Sequence, residues 1–438
     1  ARPRVTTPSF FPAPLFLFFF LGPPSTSLGV AVSGVGFSFN WAWVLQVYSS
    51  SSFLYTAAVF WYTPTRLCSL FGVEPKSPAD VSKQEVIEAG GSTLAELLDH
   101  PSREKASPVI VKGATKILLN FHASGKIDAV VTLGGTQGTS TCAPILQALP
   151  YGFPKVMLST AASGDVGPFV GIKDITMMFA VSDILGLNVF SRKILANAAA
   201  SAWGMAQVER SITKSEAKGT IGMSNLGVLT QGAMHAIELF EKAGYEVITF
   251  HAIGAGGEAM EQMMKEGIIT AVFDYAMGEI ADGCFDALRA AGPERLTVAG
   301  KLGLPQVICP GGSEHLGLLV SEPNKIPEGW EDHQITWHTP YVFVPRLNAE
   351  EQAKVAKTIG ERLQNATSKT AFIMPLKGVS SYSAEGGELY NTDLDAAYWE
   401  ALQKALPDHV EVEALELTAE DHAFVDHAVA KLINMIES

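Results

Sequence analysis

The stretch that most constrains this chain is an apolar run at 129–133, AVVTL, that breaks into Gly134-Gly135-Thr136-Gln137-Gly138-Thr139-Ser140-Thr141. A short, nearly continuous apolar run predicts a parallel strand buried on both faces. The glycines, the hydroxyl residues and the helical pattern APILQAL after them predict a strand, a turn and a helix start. Such a turn gathers backbone N–H groups at a helix N-terminus, where they and the helix dipole favour an anion. It matches neither standard phosphate motif. No lysine follows Gly138, and the glycines are spaced G-G-x-x-G instead of G-x-G-x-x-G. A tight turn with nothing bound is the plain alternative. Residues 155–159 predict a second strand, running into Thr160-Ala161-Ala162-Ser163-Gly164-Asp165. Ligands of open α/β sheets collect outside the carboxyl ends of strands, so two such loops side by side favour a bound anion. The candidate binding set is Gly134, Gly135, Thr136, Gly138, Thr139, Ser140, Ser163, Gly164 and Asp165. Asp165 either helps to hold Mg2+ or caps its own loop.

The 438 residues allow two domains of ordinary size. A net charge of −14, with no basic run, argues against a nucleic-acid surface. Cys68, Cys142, Cys284 and Cys309 are too dispersed for a disulfide framework or a metal clip, and they suit a reducing, cytoplasmic setting. Residues 1–75 are atypical, with almost no charge between Arg4 and Arg66 and with repeated Pro and Ser punctuation. Pro12 and Pro14 interrupt any signal-peptide pattern, and no run is long enough for a membrane helix. This segment is expected to be unpacked or misassembled.

From residue 76 to 208 the pattern predicts a first α/β lobe, with a helix over 108–121 and an Ala-rich helix capped by Ser191. The polar stretch 209–219 reads as a linker, and 220–438 as a second lobe. There, strands are predicted at 220–224, 246–252, 271–273, 306–309, 370–375 and 410–415, with helices between them. The fold class is therefore α/β, two Rossmann-like lobes with mostly parallel sheets. Three strand ends of the second lobe carry Gly254, Gly256 and Gly257; Glu314 and His315; and Lys377, Ser380 and Ser381. Together they suggest a second pocket for a small anionic molecule, with Glu314, His315 and Lys377 as candidate acid–base groups. No metal-ligand spacing stands out.

The segments GGTQGTSTCAPILQALPYGFPKVMLSTAASGDVGPFVGIKDITMMFAVSDILGLN and SRKILANAAASAWGM, then HAIGAGGEAME and MPLKGVSSY, resemble a largely uncharacterised family that includes the tomato mosaic virus resistance protein. The resemblance spans about residues 80–438. It implies an ATP-binding first lobe, with Mg2+ as a possible companion, and a homodimer. Family members open with a βα unit carrying a Gly-Thr-x-Asp-Thr-Lys type turn, which residues 1–75 do not match, so part of the nucleotide site is expected to be missing. An enzyme acting on a small anionic metabolite and an inhibitory protein-interaction module are the alternatives.

Overall fold

The computed structural model describes residues 17–21, 81–99, 102–184, 188–208, 217–366 and 369–438. The chain divides into two units, residues 1–213 and 214–438. The expected linker at 209–219 falls mostly outside the described residues.

In the first unit, β1 (Leu17–Leu21) precedes three helices, α1 (Lys83–Ala89), α2 (Leu94–Asp99) and α3 (Arg103–Ala123). Then come β2 (Ala129–Gly134), α4 (Thr136–Gln147), β3 (Lys155–Ser159), α5 (Gly167–Val170), β4 (Thr176–Phe179) and α6 (Val189–Ala206). The sheet order is β1-β2-β3-β4. β2, β3 and β4 are parallel, as the apolar runs predict. β1 pairs antiparallel with β2 at the sheet edge, with Leu17 opposite Leu133. At these five residues the structure departs from the expectation of an unpacked segment, because five consecutive strand-forming residues can complete the open edge of β2. The rest of 1–75 lies outside the described residues.

Every residue of β2 and β3 is buried, since helices cover both faces of the sheet. Val86, Ile110 and Leu146, from α1, α3 and α4, pack in one core with Val130 and Met157. On the other face Ala198, Ala202 and Ala206 of α6 lie against Val131, Val156 and Leu158. α6 begins one turn earlier than the sequence suggested. Asn188 is its cap, and Ser191 is the N3 residue that returns a hydrogen bond in a capping box.

The second unit contains β5 (Thr220–Asn225), a 3-10 turn at Gly227–Leu229, α7 (Thr230–Lys242), β6 (Glu246–His251), α8 (Ala255–Lys265), β7 (Ala271–Ala276), α9 (Gly278–Cys284), α10 (Val298–Leu302) and β8 (Gln306–Gly311). A small antiparallel sheet of β9 (Leu318–Leu319), β10 (Ile335–Thr339) and β11 (Val342–Pro345) follows. The chain closes with α11 (Ala349–Arg362), β12 (Thr370–Pro375), α12 (Thr392–Ala405), β13 (Glu411–Leu415) and α13 (His422–Glu437). The main sheet runs β13-β12-β8-β7-β5-β6, all parallel. From β5 the chain steps to β6 on one side and then crosses to β7 on the other, so the order reverses beside β5. Loops at such a reversal diverge and leave a crevice at the strands' carboxyl ends. α7 and α13 cover one face, where Phe240, Phe424 and Leu432 meet Ile221, Met223 and Phe273. α8 and α10 cover part of the other face, and α9, α11 and α12 the remainder.

Candidate functional site: two sets of strand ends

In the first unit, β2 and β3 end side by side, with Gly134 in register with Ser159. Gly135 is the N-cap of α4 in extended conformation, and it supplies no side chain to the helix N-terminus. The first turn of α4 carries no acidic residue. The amides of Thr136, Gln137 and Gly138 thus precede the first helical bond, from Thr139 N to Gly135 O at 2.9 Å. The hydroxyls are arranged otherwise than the sequence suggested. Thr139 Oγ1 donates to Gly135 O at 2.9 Å, and Ser140 Oγ to Thr136 O at 2.9 Å. Thr139 Oγ1 also lies 2.6 Å from Ser159 Oγ, and Ser159 Oγ accepts from Ala161 N at 3.0 Å. Thr139 and Ser159 thus tie the two strand-end loops together, and the Ser140 hydroxyl is taken up inside α4. Asp165 Oδ1 accepts from Gly167 N at 2.9 Å, so it does cap its own loop. Its other oxygen is left over, and Ser163, Gly164 and Asp165 are exposed. One group escaped the sequence argument. The side-chain carbonyl of Gln137 is buried without a hydrogen-bond partner on the first turn of α4.

In the second unit the strand-end residues converge through Arg289. Its guanidinium grips Asp282, with Nε to Oδ2 at 3.0 Å and Nη2 to Oδ1 at 2.8 Å. Nη2 also donates to His315 O at 2.8 Å, and Nη1 to His315 Nε2 at 3.2 Å. A guanidinium can only donate, so His315 Nε2 is the acceptor and the neutral ring carries its hydrogen on Nδ1. On that side Nδ1 lies 3.0 Å from Glu314 Oε1. Ser380 Oγ donates to the same Glu314 oxygen. Burial works against the Glu314 charge, while the Arg346 guanidinium and the Ser380 hydroxyl pull the other way. The adjacent Glu314 and His315 meet the sequence-distant Ser380 in one buried cluster. Lys377 does not join it. It is exposed, and its amide pairs with Leu417 O beside β13. Ser381 is likewise exposed, with its amide on Val228 O.

The amides of the turn holding Gly254, Gly256 and Gly257 meet a carboxylate of the protein itself. Both Gly254 N and Gly257 N donate to Glu279 Oε1, at 2.7 and 3.0 Å. A Cβ on Gly257 would stand 2.0 Å from Glu279 Oε2, and one on Gly256 1.8 Å from His251 O. Glu279 thus takes up the Gly254 and Gly257 amides from inside the unit. Arg295 stands behind it, wholly buried, bonding Glu279 Oε2 through Nε at 2.6 Å and Asp274 Oδ1 through Nη2 at 2.6 Å. Among the described residues no group of three or more His, Cys, Asp or Glu side chains is placed to hold a metal ion.

Two family models cover the first unit from residue 67 onward and nearly all of the second. Residues 67–211 match the N-terminal domain, and residues 218–436 the C-terminal domain, of an uncharacterised protein family, UPF0261. The chain belongs to the UPF0261 family. A UPF0261 protein of Clostridium tetani is 38% identical over 365 residues, covering 83% of this chain and 90% of its own length. One from Rhizobium meliloti is 33% identical over 358 residues, covering 81% and 88%. The ToMV susceptible protein tm-1(GCR26) of tomato is 31% identical over 313 residues, which are 70% of this chain and 41% of the tomato protein. UPF0261 relatives therefore span both units. Among the described residues no helix is long and apolar enough to cross a membrane.

Proposed function

We propose that the first unit binds ATP, with its phosphates against the amides of residues 135–138. The observation that carries this reading is the start of α4, a twelve-residue helix with no side-chain cap and no acid in its first turn, beside the end of β3. Uncapped amides at a helix N-terminus are satisfied by water or by an anion, and the helix dipole favours the anion. The unpartnered Gln137 carbonyl adds an acceptor for a nucleoside N–H or O–H. Mg2+ fits only through the phosphates and the remaining oxygen of Asp165, since one carboxylate with phosphate oxygens and water is a usual Mg2+ set.

Calorimetric titration of ATP into the wild-type chain and into Gly135→Val tests the site. Gly135 has φ −79°, which valine adopts freely, so a loss does not come from a left-handed backbone. Affinity should fall by about tenfold or more, that is ~1.4 kcal/mol. Unchanged affinity, or no ATP binding by the wild type, would sink the reading.

We infer further that the protein works as a cytoplasmic homodimer through α6. Its start exposes Val189 (89%) and Phe190 (45%), and its outer face carries the small residues Ala200 and Gly204, which let a second backbone approach. Cys142, Cys284 and Cys309 are all free thiols, which suits a reducing compartment. Light scattering that returned the single-chain mass of 46.7 kDa would refute the dimer.

A further inference from the structure

The cluster around Glu314 contains three buried polar atoms that no protein group satisfies: Glu314 Oε2, His315 Nδ1 and Arg346 Nε. Nδ1 is near Glu314 Oε1, but the angle between them falls outside that of a hydrogen bond. Glu314 and His315 are consecutive. Arg346 is bridged to His315 across the strand pair, and its neighbour Leu347 donates to Glu314 O at 2.8 Å. All three side chains are at most 4% exposed. Leaving one such atom unpaired costs about 1–3 kcal/mol, so three on neighbouring residues call for an occupant.

The segment above this spot also has the character of a binding loop. Residues 376–391, between β12 and α12, contain no helix or strand. Connections of that length in compact domains are usually binding loops or lids. It touches the cluster at both ends, through Ser380 Oγ on Glu314 and through Leu389 O, which accepts from Arg346 Nη1.

The chemistry of the occupant follows from donors and charges. His315 Nδ1–H and Arg346 Nε–H need acceptors, and Glu314 Oε2 needs a donor. A hydroxyl oxygen offers two lone pairs and one hydrogen, which is that set. The carboxylates of Glu314, Asp282 and Asp395 face the two guanidinium groups of Arg289 and Arg346, so with His315 neutral the cluster carries 2 − 3 = −1. An added anion would be repelled in this buried setting, and an ammonium group cannot accept from Arg346. We propose that the second unit holds a small, neutral, hydroxyl-bearing molecule at Glu314, His315 and Arg346, under the loop 376–391. The small anionic guest suggested by the sequence does not suit these charges.

Calorimetric titration with glycerol, xylitol, myo-inositol and glucose, and with malonate and phosphate as anionic comparators, tests the proposal. At least one of the four neutral compounds should bind saturably to the wild-type chain, while the anions bind more weakly than it does. Glu314→Gln should weaken that binding by about tenfold or more, since an amide no longer accepts as a charged group. Because Glu314→Gln disturbs a buried cluster, hydrogen exchange on the wild-type chain gives a second readout. Amides of residues 378–390 should slow when the neutral compound binds and stay unchanged with malonate. Three results would overturn the proposal: binding of none of the four neutral compounds, equal or tighter binding of the anions, or a crystal structure showing ordered water only at the three atoms after soaking with all four.

Discussion

Glu279 Oε1 lies 2.7 Å from the amide nitrogen of Gly254, so the protein supplies its own anion to a glycine-rich turn. The same oxygen receives Gly257 N at 3.0 Å, and the other carboxylate oxygen receives Arg295 Nε at 2.6 Å. The N-terminus of α8 is thereby satisfied from inside the sheet. The start of α4 differs, because its first turn carries no acidic residue and no side-chain cap.

Replacing that carboxylate should be costly. Glu279→Gln keeps the size but removes one charge facing the buried Arg295 and sets an amide N–H₂ or a carbonyl where two kinds of partner compete. Breaking a buried ion pair on one side costs about 3–5 kcal/mol. Urea unfolding should show a midpoint well below wild type, and an unchanged midpoint would show that Arg295 is held by Asp274 and Glu261 alone.

The same geometry predicts a difference between two glycines. At Gly257 a Cβ would stand 2.0 Å from Glu279 Oε2 and 2.5 Å from Arg295 Nε, both pinned and buried. At Gly227 it would meet nothing within 4 Å. Overpacking costs about 1–3 kcal/mol, more than the ~1 kcal/mol alanine gains over glycine in a helix. Gly257→Ala should therefore melt lower than wild type and Gly227→Ala should not, and equal melting temperatures for the two variants would contradict the contact.

A smaller effect is expected at the start of α11. Asn348 accepts from Glu350 N and Glu351 N, both at 3.0 Å, while Glu351 Oε2 accepts from Asn348 N at 2.8 Å. Asn348→Ala removes half of this capping box and should cost about 1 kcal/mol in chemical unfolding. No loss at all would mean that water replaces the cap fully.

Much of the sheet architecture was legible because buried parallel strands write themselves as unbroken apolar runs. The strands at 155–159 and 370–375 coincide with the predicted ones, and β2 and β5 differ by one residue at an end. The small sheet of β9, β10 and β11 was not legible. Its strands are two to five residues long, and the segment around them is interrupted by Pro327, Gly329 and Pro340. Nor could the sequence single out Arg289, Arg295, Asp282 or Glu279. A charged residue is by default solvated, and only the three-dimensional pairing of these four, each at most 8% exposed, makes them internal. The joining of Glu314, His315 and Ser380 followed from strand ends meeting. The exclusion of Lys377 did not, because it depends on which way the loop after β12 turns.

The last prediction concerns pH. Burial pushes the Glu261 carboxyl up to about 7 from its ordinary 4.5, with Arg295 and the amides of Leu296 and Val298 pulling the other way. Glu279 is raised in the same direction and for the same first cause. In the window between 4.5 and about 7 the folded chain holds a proton at Glu261 that the unfolded chain has released. Folding is then linked to proton uptake, so stability falls as pH rises through that window and levels off above it. One pKa unit corresponds to 1.36 kcal/mol, so the whole effect is on the order of 3 kcal/mol. Urea midpoints measured across that window should decline with rising pH in the wild type. In Glu261→Gln, which cannot ionise at that position, the decline should be shallower. Parallel pH profiles for the two proteins would show that Glu261 does not titrate there and that the three carboxylates around Arg295 share their charge differently.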